Sequence, residues 1–371
     1  MKVVVSGYVG KKVTGIGRNL ISLLSHTGKE NSYVIYTNKD MAEAFENVGD
    51  NITVKTYGVS KDNSLGNLLW TTFIFPFVVL WECADVSLIP NFTLLLFKFR
   101  PTSVIIHDLI EYNVPDKFSP LRMFYRIKIA DPLMAKRSDR IMTISRSSLD
   151  DLVCFLGADP QKVDIIHCGV DRSMFHRMDE AAARAILRSR GLPSDFFLYA
   201  GTVDHPGKNS YSVIKAFERL CTDGYEGSLI LAGMPGSGYD FIVKTVAESP
   251  VADRIVLAGY VTEEELLALY SLCRAFCFVS LYEGFGMPPL EAMACGAEII
   301  VSNTSSLPEA VGPCGQKVPP TDDIAIADAM RRILDGFRSD AGDVERHLEE
   351  FSYASLSKQF EKSLEQTVKG G

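Results

Sequence analysis

Two glutamates, Glu283 and Glu291, stand at either end of a short segment that contains two glycines and two prolines. The apolar run 275–280 in front of them is typical of a buried parallel strand. Gly284 and Gly286 allow the backbone to bend tightly, and the prolines suit the first turn of a helix. A helix N-terminus binds anions, whereas carboxylates accept hydrogen bonds from hydroxyls. We therefore expect this segment to bind a sugar that is attached to a phosphate.

The whole string from Leu281 to Gly296, LYEGFGMPPLEAMACG, resembles the Glu-x7-Glu signature of the retaining glycosyltransferases of family 4. The resemblance implies an α/β chain of the GT-B fold, in which two Rossmann-like domains with parallel sheets face each other across a cleft. It also implies that Glu283 holds the hydroxyls of the donor sugar and that Glu291, expected in the first turn of the helix, holds the ribose hydroxyls. The backbone of the residues between them would orient sugar and phosphate: Gly284, Phe285, Gly286 and Met287.

A second matching segment is His107-Asp108-Leu109, which follows a predicted strand at 104–106. Parallel sheets keep their sites at the carboxyl ends of strands, so polar side chains at this point are candidates for function. The resemblance gives His107 a hydrogen bond to a sugar hydroxyl or to the reacting region. Asp108 is expected to support the loop or the histidine. The alternative for His107 is a structural histidine with no part in the reaction.

A third matching segment ends in Lys208 and Asn209. In the family the motif closes with Arg-Lys-Asn, whereas this chain has Gly207 where a second cation is common. Lys208 is therefore the predicted counter-charge for the donor diphosphate, with Asn209 beside it in the nucleotide-sugar site. Together with Glu283 and His107, Lys208 completes the predicted catalytic set.

Two glycine-containing turns complete the predicted donor site. The string TGIGR follows the first predicted strand, and the resemblance brings Gly15, Gly17 and Arg18 of this loop close to the donor phosphates and the acceptor. The backbone at Tyr260 and Val261 follows a later strand and is expected to contact the nucleotide base. Neither turn would be specific by itself, since any strand-to-helix turn can carry glycines.

The chain is long enough for two domains that each bury a core, and alternating strand and helix patterns run through both halves. We place a Rossmann-like acceptor-side domain at 1–170 and a Rossmann-like domain that binds the nucleotide sugar at 171–350. The final stretch, 351–371, is predicted to be a helix that returns to the first domain.

The sequence predicts neither a metal nor a cofactor. Its eight cysteines lack paired metal-ligand spacing and suggest a reducing compartment, and no Asp-x-Asp motif follows a strand. Fixed dipoles and Lys208 would then neutralise the leaving diphosphate, and the nucleotide sugar is a substrate. The predicted partners are a nucleotide-sugar donor and a glycan or lipid-linked acceptor, but not nucleic acid.

Charge and hydropathy bear on location. Residues 1–190 hold 24 Lys/Arg against 20 Asp/Glu, and the remainder holds 14 against 26, so the first half suits a membrane surface or an anionic acceptor. The apolar segment 68–81 is shorter than the ~20 residues of a membrane span, which leaves a core helix or a surface-docking helix. The polar start of the chain does not resemble a secretory leader. We expect a cytoplasmic protein, with peripheral contact at the inner face of the membrane left open.

These observations predict a retaining, metal-independent glycosyltransferase that builds a polysaccharide, O-antigen or similar glycan. The strings TGIGR and IIHDL look most like those of mannosyltransferases that use GDP-mannose. A UDP-sugar donor is the alternative within the family. A GT-B epimerase, a non-catalytic partner subunit and a nucleotide-dependent oxidoreductase share the glycine turns or the architecture, but they do not require the Glu-x7-Glu segment.

Overall fold

The protein was analysed as a computed structural model, which describes residues 1–10, 15–113 and 119–370. The chain forms two compact units. The first unit comprises Met1–Gly169 together with Tyr353–Gly371, and the second comprises Val170–Ser352.

The first unit is built on a parallel sheet of seven strands: β1 (Lys2–Ser6), β2 (Ser32–Asn38), β3 (Ile52–Tyr57), β4 (Val86–Ile89), β5 (Thr102–Ile105), β6 (Arg140–Thr143) and β7 (Val163–Ile165). The strand order is β3-β2-β1-β4-β5-β6-β7. Because β1 is flanked by β2 on one side and β4 on the other, the order reverses at β1, which is where parallel sheets open a crevice for ligands. In register, Val4 of β1 lies between Val34 and Ser87.

Helices connect these strands: α1 (Gly15–Ser25), α2 (Ser64–Leu69), α3 (Phe75–Trp81), α4 (Ile110–Asn113), α5 (Pro120–Tyr125), α6 (Asp131–Arg137) and α7 (Arg146–Leu156). A π-helical turn, Trp70–Ile74, joins α2 to α3, and another, Arg126–Ala130, joins α5 to α6. Ser145 caps α7 as its sequence position predicts, since its hydroxyl accepts a hydrogen bond from the N–H of Ser148.

The second unit repeats the same topology with six parallel strands: β8 (Phe196–Ala200), β9 (Ser228–Ala232), β10 (Ile255–Gly259), β11 (Phe276–Phe278), β12 (Ile299–Ser302) and β13 (Gln316–Val318). Their order is β10-β9-β8-β11-β12-β13, so the reversal falls between β8 and β11. Every residue of β8 is buried, as expected for a strand covered by helices on both faces.

The helices of the second unit are α8 (Glu180–Ser189), α9 (Ser210–Thr222), α10 (Tyr239–Ala247), α11 (Glu263–Leu272), α12 (Met287–Ala294), α13 (Leu307–Val311), α14 (Asp323–Leu334) and α15 (Ala341–Glu350). Thr262 and Glu265 form an N-terminal capping box at the start of α11. The last helix, α16 (Tyr353–Gly370), packs Leu356, Phe360 and Leu364 into the core of the first unit.

Two element boundaries differ from what the local sequence suggests. The apolar run that begins at Phe196 is a strand only as far as Ala200, because Gly201 has a φ of 151° and breaks the extended chain. The glycine loop expected at 14–18 is helical from Gly15 onward, and Gly17 is buried on the core side of α1. Thr14 of that loop lies outside the described residues.

The apolar segment 68–81 lies within one continuous helical run, Ser64–Trp81. By length and composition this run could cross a membrane, and about a third of it is buried. Phe75 and Val79 pack into the core, whereas Phe77 and Trp81 are exposed. The sequence left a core helix and a surface-docking helix as alternatives. The structure shows a helix that packs one side against the sheet and exposes the other side.

Candidate active site

The second unit brings Lys208 and Glu283 together. Lys208 follows β8, Glu283 follows β11, and these two strands are neighbours at the point where the strand order reverses. The ammonium Nζ of Lys208 lies 2.7 and 2.8 Å from the two carboxylate oxygens of Glu283. The side chains are 27% and 13% exposed, so the ion pair is partly shielded yet open on one side. A phosphate next to Nζ would therefore meet a cation that is already held in place.

Two serines fix the backbone of the glutamate segment. Ser305 accepts a hydrogen bond on its Oγ from the N–H of Glu283 at 3.1 Å. The hydroxyl of Ser306 lies 2.9 Å from the carbonyl oxygen of Glu283 and 2.6 Å from that of Phe285, so it donates to this pair of acceptors. Ser305 and Ser306 were not among the site residues predicted from the sequence. The available signal was their position just past β12, where hydroxyls can reach the loop of the neighbouring strand.

Glycine is required at position 286. Its φ is 119°, and an added Cβ would lie 2.6 Å from Cδ2 of Leu307. Phe285, just before it, is buried and stacks on Phe351 with ring centroids 5.6 Å apart. The segment is thus shaped by packing on its inner side. Gly284 and Met287 are partly exposed beside it.

The N-terminus of α12 offers fewer hydrogen-bond donors than a usual helix. The first four N–H positions, from the N-cap onward, have no partner within a helix. Here they are Gly286, Met287, Pro288 and Pro289, and proline has no N–H, so only two donors remain. Any phosphate site at this point depends on Gly286 and Met287, with Lys208 as the nearby cation.

The position of Glu291 corrects one expectation. Because α12 begins at Met287, Glu291 is the fifth residue of the helix and lies in its second turn, not in the first. Its side chain is half-buried and takes part in interactions within the protein. A role toward the ribose remains a prediction.

Asn209 has a structural role that the sequence did not reveal. It adopts a left-handed conformation with a φ of 57° at the N-cap position of α9, without a side-chain capping hydrogen bond. Its amide nitrogen donates to the carbonyls of Val279 (3.0 Å) and Pro320 (2.6 Å), and its oxygen accepts from the hydroxyl of Ser212 (2.8 Å). Both amide hydrogens are thus used inside the protein. The place of Asn209 in the nucleotide-sugar site stays a prediction.

Tyr260 and Val261 follow β10 at the same edge of the second sheet. Tyr260 is 66% exposed, and its backbone carbonyl accepts a hydrogen bond from Arg190 at 3.1 Å. Arg190 also pairs with Glu265. The exposed ring and the backbone of Val261 are the groups left to face a base, so the predicted base contact stays open to test.

In the first unit, His107 follows β5 and is almost fully buried. Its Nε2 lies 3.1 Å from the carbonyl oxygen of Pro90, and because a carbonyl only accepts, Nε2 carries the hydrogen. Burial lowers the pKa of His107 to about 4, so the ring is neutral near pH 7 and Nδ1 holds a lone pair. Nδ1 of His107 can accept a hydrogen bond, but the neutral ring does not act as a general acid at neutral pH.

The other predicted residues of the first unit lie near the start of α1. Gly15 and Gly17 belong to the first turn of this helix, and the side chain of Arg18 is exposed. The first unit also has a cavity of about 280 Å³ that sequence analysis missed. It opens at the reversal between β1 and β4 and is lined by residues that follow both strands: Ser6, Tyr8 and Gly10, and Ile89, Asn91 and Phe92.

Among the described residues, no group of three or more His, Cys, Asp or Glu side chains could hold a metal ion. The chemistry available at the second sheet is therefore that of a cation, a carboxylate and backbone N–H groups. Such a set can bind a diphosphate and fix hydroxyls of a neighbouring sugar.

Comparison with known proteins identifies the family of the chain. The profile of glycosyl transferases group 1 matches residues 188–343, and that of Glycosyltransferase Family 4 matches residues 13–173. The chain therefore belongs to the glycosyltransferase family that these two profiles describe, and its fold is the GT-B fold.

Relatives and solved structures extend the comparison. The serotype-specific mannosyltransferase WbdA of Escherichia coli is 32% identical over 57% of this chain, and the match spans only 26% of the WbdA sequence. The O-antigen chain mannosyltransferase RfbU of Salmonella typhimurium is 25% identical over 88% of both chains. The crystal structure of Anabaena HepE in complex with UDP and glucose shares the fold, with a TM-score of 0.73, 16% identity and coverage of 99% of this chain and 100% of HepE.

Proposed function

We propose that this protein is a retaining hexosyltransferase that moves mannose from GDP-mannose to a glycan or lipid-linked acceptor. The observation that carries the proposal is the Lys208–Glu283 pair at the carboxyl ends of β8 and β11. In this proposal Lys208 would bind the donor diphosphate, and the neighbouring carboxylate of Glu283 would hold the sugar hydroxyls. The mannosyl donor is supported by WbdA and RfbU, which are both named as mannosyltransferases.

The reaction breaks the bond between the sugar and the phosphate, and negative charge grows on the departing diphosphate. Lys208, with the N–H groups of Gly286 and Met287, would stabilise that charge without a metal. Glu283 would hold the sugar hydroxyls. The acceptor hydroxyl attacks the anomeric carbon on the face that the phosphate leaves, and its proton passes to the phosphate. We assign no side chain as general base.

A UDP-sugar donor is the second candidate, favoured by the structural neighbour HepE, which was solved with UDP and glucose. Release of nucleoside diphosphate should be measured with GDP-mannose and with UDP-sugars in parallel. We expect turnover with GDP-mannose. Turnover with UDP-sugars alone would exclude the mannosyl assignment and keep the transferase.

The remaining classes are separated by ligand binding. A nucleotide present at about 100 times its Kd stabilises the folded state by about 2.7 kcal/mol. We expect thermal protection by GDP and none by NAD, which an oxidoreductase would bind. Protection without turnover on any acceptor would favour a non-catalytic partner subunit, and conversion of the free nucleotide sugar would favour an epimerase.

We also propose that the protein acts in the cytoplasm with peripheral contact at the inner face of the membrane. All eight cysteines are free, which suits a reducing compartment. Fractionation of cells that express the tagged protein tests the location. The expected result is recovery in both the cytosolic and the salt-extractable membrane fractions.

A further inference from the structure

The helical run Ser64–Trp81 carries an unusual number of exposed large apolar side chains. Each of seven is between 42% and 86% exposed: Leu65, Leu69, Phe73, Ile74, Phe77, Leu80 and Trp81. They recur at intervals of three and four residues, the spacing that places side chains on one side of a helix. No charged residue occurs between 63 and 81.

Two further aromatic rings widen this surface. Phe97 lies with its ring centroid 6.0 Å from that of Phe73, and Phe99 lies 5.1 Å from Phe77. Both rings are more than 40% exposed. We call the seven side chains of the helical run together with Phe97 and Phe99 the apolar face. Isolated exposed leucines are common on proteins, but a contiguous apolar surface of this kind indicates an interaction site.

The opposite side of the same run is fixed to the protein. Asn67, Thr72, Phe75 and Val79 are buried, and the last two belong to the core beneath the sheet. A helix that packs one side on a sheet cannot be surrounded by lipid, so it does not span a bilayer. It has the arrangement of a helix that lies along an interface, with its apolar side outward.

Positive charge accompanies the apolar face. Lys98 and Arg100 alternate with its two aromatic rings. The segments 63–81, 86–107 and 119–130 together contain five Lys or Arg and no Asp or Glu. Lys98 pairs with Asp139, whereas no carboxylate of the described residues pairs with Arg100 or Lys128. Arg100 and Lys128 are exposed, so they can contact anionic groups outside the protein.

The whole first unit has the same bias. It holds 22 Lys/Arg against 19 Asp/Glu, a formal charge of +3, while the second unit holds 16 against 27, a charge of −11. An anionic surface therefore attracts the first unit and repels the second, which orients the molecule. A second copy of the chain fits less well, because a self-paired interface would bring Arg100 toward like charges.

We propose that the apolar face seats the first unit on an anionic phospholipid bilayer. This docking does not depend on the proposed transferase function. Aromatic and aliphatic side chains enter the headgroup boundary, and Arg100 and Lys128 contact lipid phosphates.

The test is flotation of the full chain with vesicles of phosphatidylcholine alone and of equimolar phosphatidylcholine and phosphatidylglycerol. We expect binding to the anionic vesicles and weaker binding at high salt. The double variant Phe73→Ser/Phe77→Ser should lower the partition coefficient at least about tenfold, since it removes apolar surface that enters the bilayer. The matched control is Ile324→Ser/Phe337→Ser, two exposed apolar side chains of the second unit, which should bind vesicles like wild type.

Three results would overturn the docking: no binding to anionic vesicles, equal loss in the test and control variants, or a dimer that Phe73→Ser/Phe77→Ser converts to monomer without vesicle binding. Vesicle binding by a protein without any transferase activity would leave the docking and reject the proposed function.

Discussion

The ammonium of Lys208 forms an ion pair with both carboxylate oxygens of Glu283, although 75 positions separate the two residues in sequence. Each group is the other's counter-charge in this state. A nucleotide sugar that brings its own diphosphate offers Lys208 a second anion, and the glutamate is then available for hydroxyls. The pair gives the candidate site a defined geometry before any ligand arrives, which reduces the ordering that binding requires.

Lys208→Ala should reduce kcat more than about tenfold, which corresponds to about 1.4 kcal/mol, with a smaller effect on donor affinity. The reason is that the lysine faces charge that grows as the diphosphate leaves. Steady-state kinetics of nucleoside diphosphate release provide the measurement. Lys215→Ala is the matched control, because Lys215 pairs with Glu218 at 2.9 Å with similar exposure in the same unit. Normal turnover in Lys208→Ala would mean that the helix N-termini or Arg18 stabilise the leaving diphosphate instead.

The two glutamates should separate in binding and catalysis. Glu291→Gln should raise the Kd for the nucleoside diphosphate about tenfold, because a charged acceptor for the ribose hydroxyls is lost. Glu283→Gln should leave that Kd nearly unchanged while kcat falls at least about tenfold. Calorimetric titration with the diphosphate, alongside kinetics, measures both. Equal effects of the two substitutions on diphosphate affinity would contradict the assignment.

Saturating EDTA should leave turnover within about twofold of the untreated enzyme, since Lys208 and backbone dipoles are proposed to carry the leaving-group charge. The assay is donor-dependent transfer before and after chelation, with a buffer-only sample as the control. Loss of most activity that Mg²⁺ or Mn²⁺ restores would reject the metal-free mechanism.

His107 should make stability depend on pH in acid. Its pKa is about 4 in the folded protein and near the ordinary 6.5 when unfolded. Between these values the unfolded chain binds a proton at this histidine that the folded protein does not bind. The contribution of His107 to the free energy of unfolding therefore rises from pH 4 to pH 6.5 and is complete above pH 6.5. The full span is on the order of 3 kcal/mol. The difference in unfolding free energy between wild type and His107→Gln, measured by denaturant titration across this range, should change accordingly. A constant difference would show that the histidine is not held neutral by burial.

Ser306→Ala should destabilise the protein by about 1–3 kcal/mol and also lower kcat, because two carbonyls of the glutamate segment lose their donor. Ser357→Ala is the control. Ser357 is equally buried and donates to the carbonyl of Leu23 at 2.8 Å, but it lies on α16 of the first unit. It should lose comparable stability with normal kcat. Parallel losses of activity in both variants would assign the effect of Ser306 to stability alone.

Much of the fold and the nature of the site follow from local sequence. The apolar runs 104–106 and 275–280 predicted β5 and β11 to within a few residues, since burial on both faces selects such runs. The shape of the glutamate segment was also predictable, because Gly286 adopts a backbone conformation that other residues rarely tolerate. The family resemblance then supplied the chemistry, which the profile matches support at the level of the family.

Other features depend on distant parts of the chain. The pairing of Lys208 with Glu283, the use of both amide hydrogens of Asn209 and the hydrogen bonds of Ser306 all join separate strand ends. The hydropathy of 64–81 could not show which side chains face outward. That was decided by which side of the helix the sheet covers, because burial is set by the packing of the tertiary structure and not by the hydrophobicity of a segment.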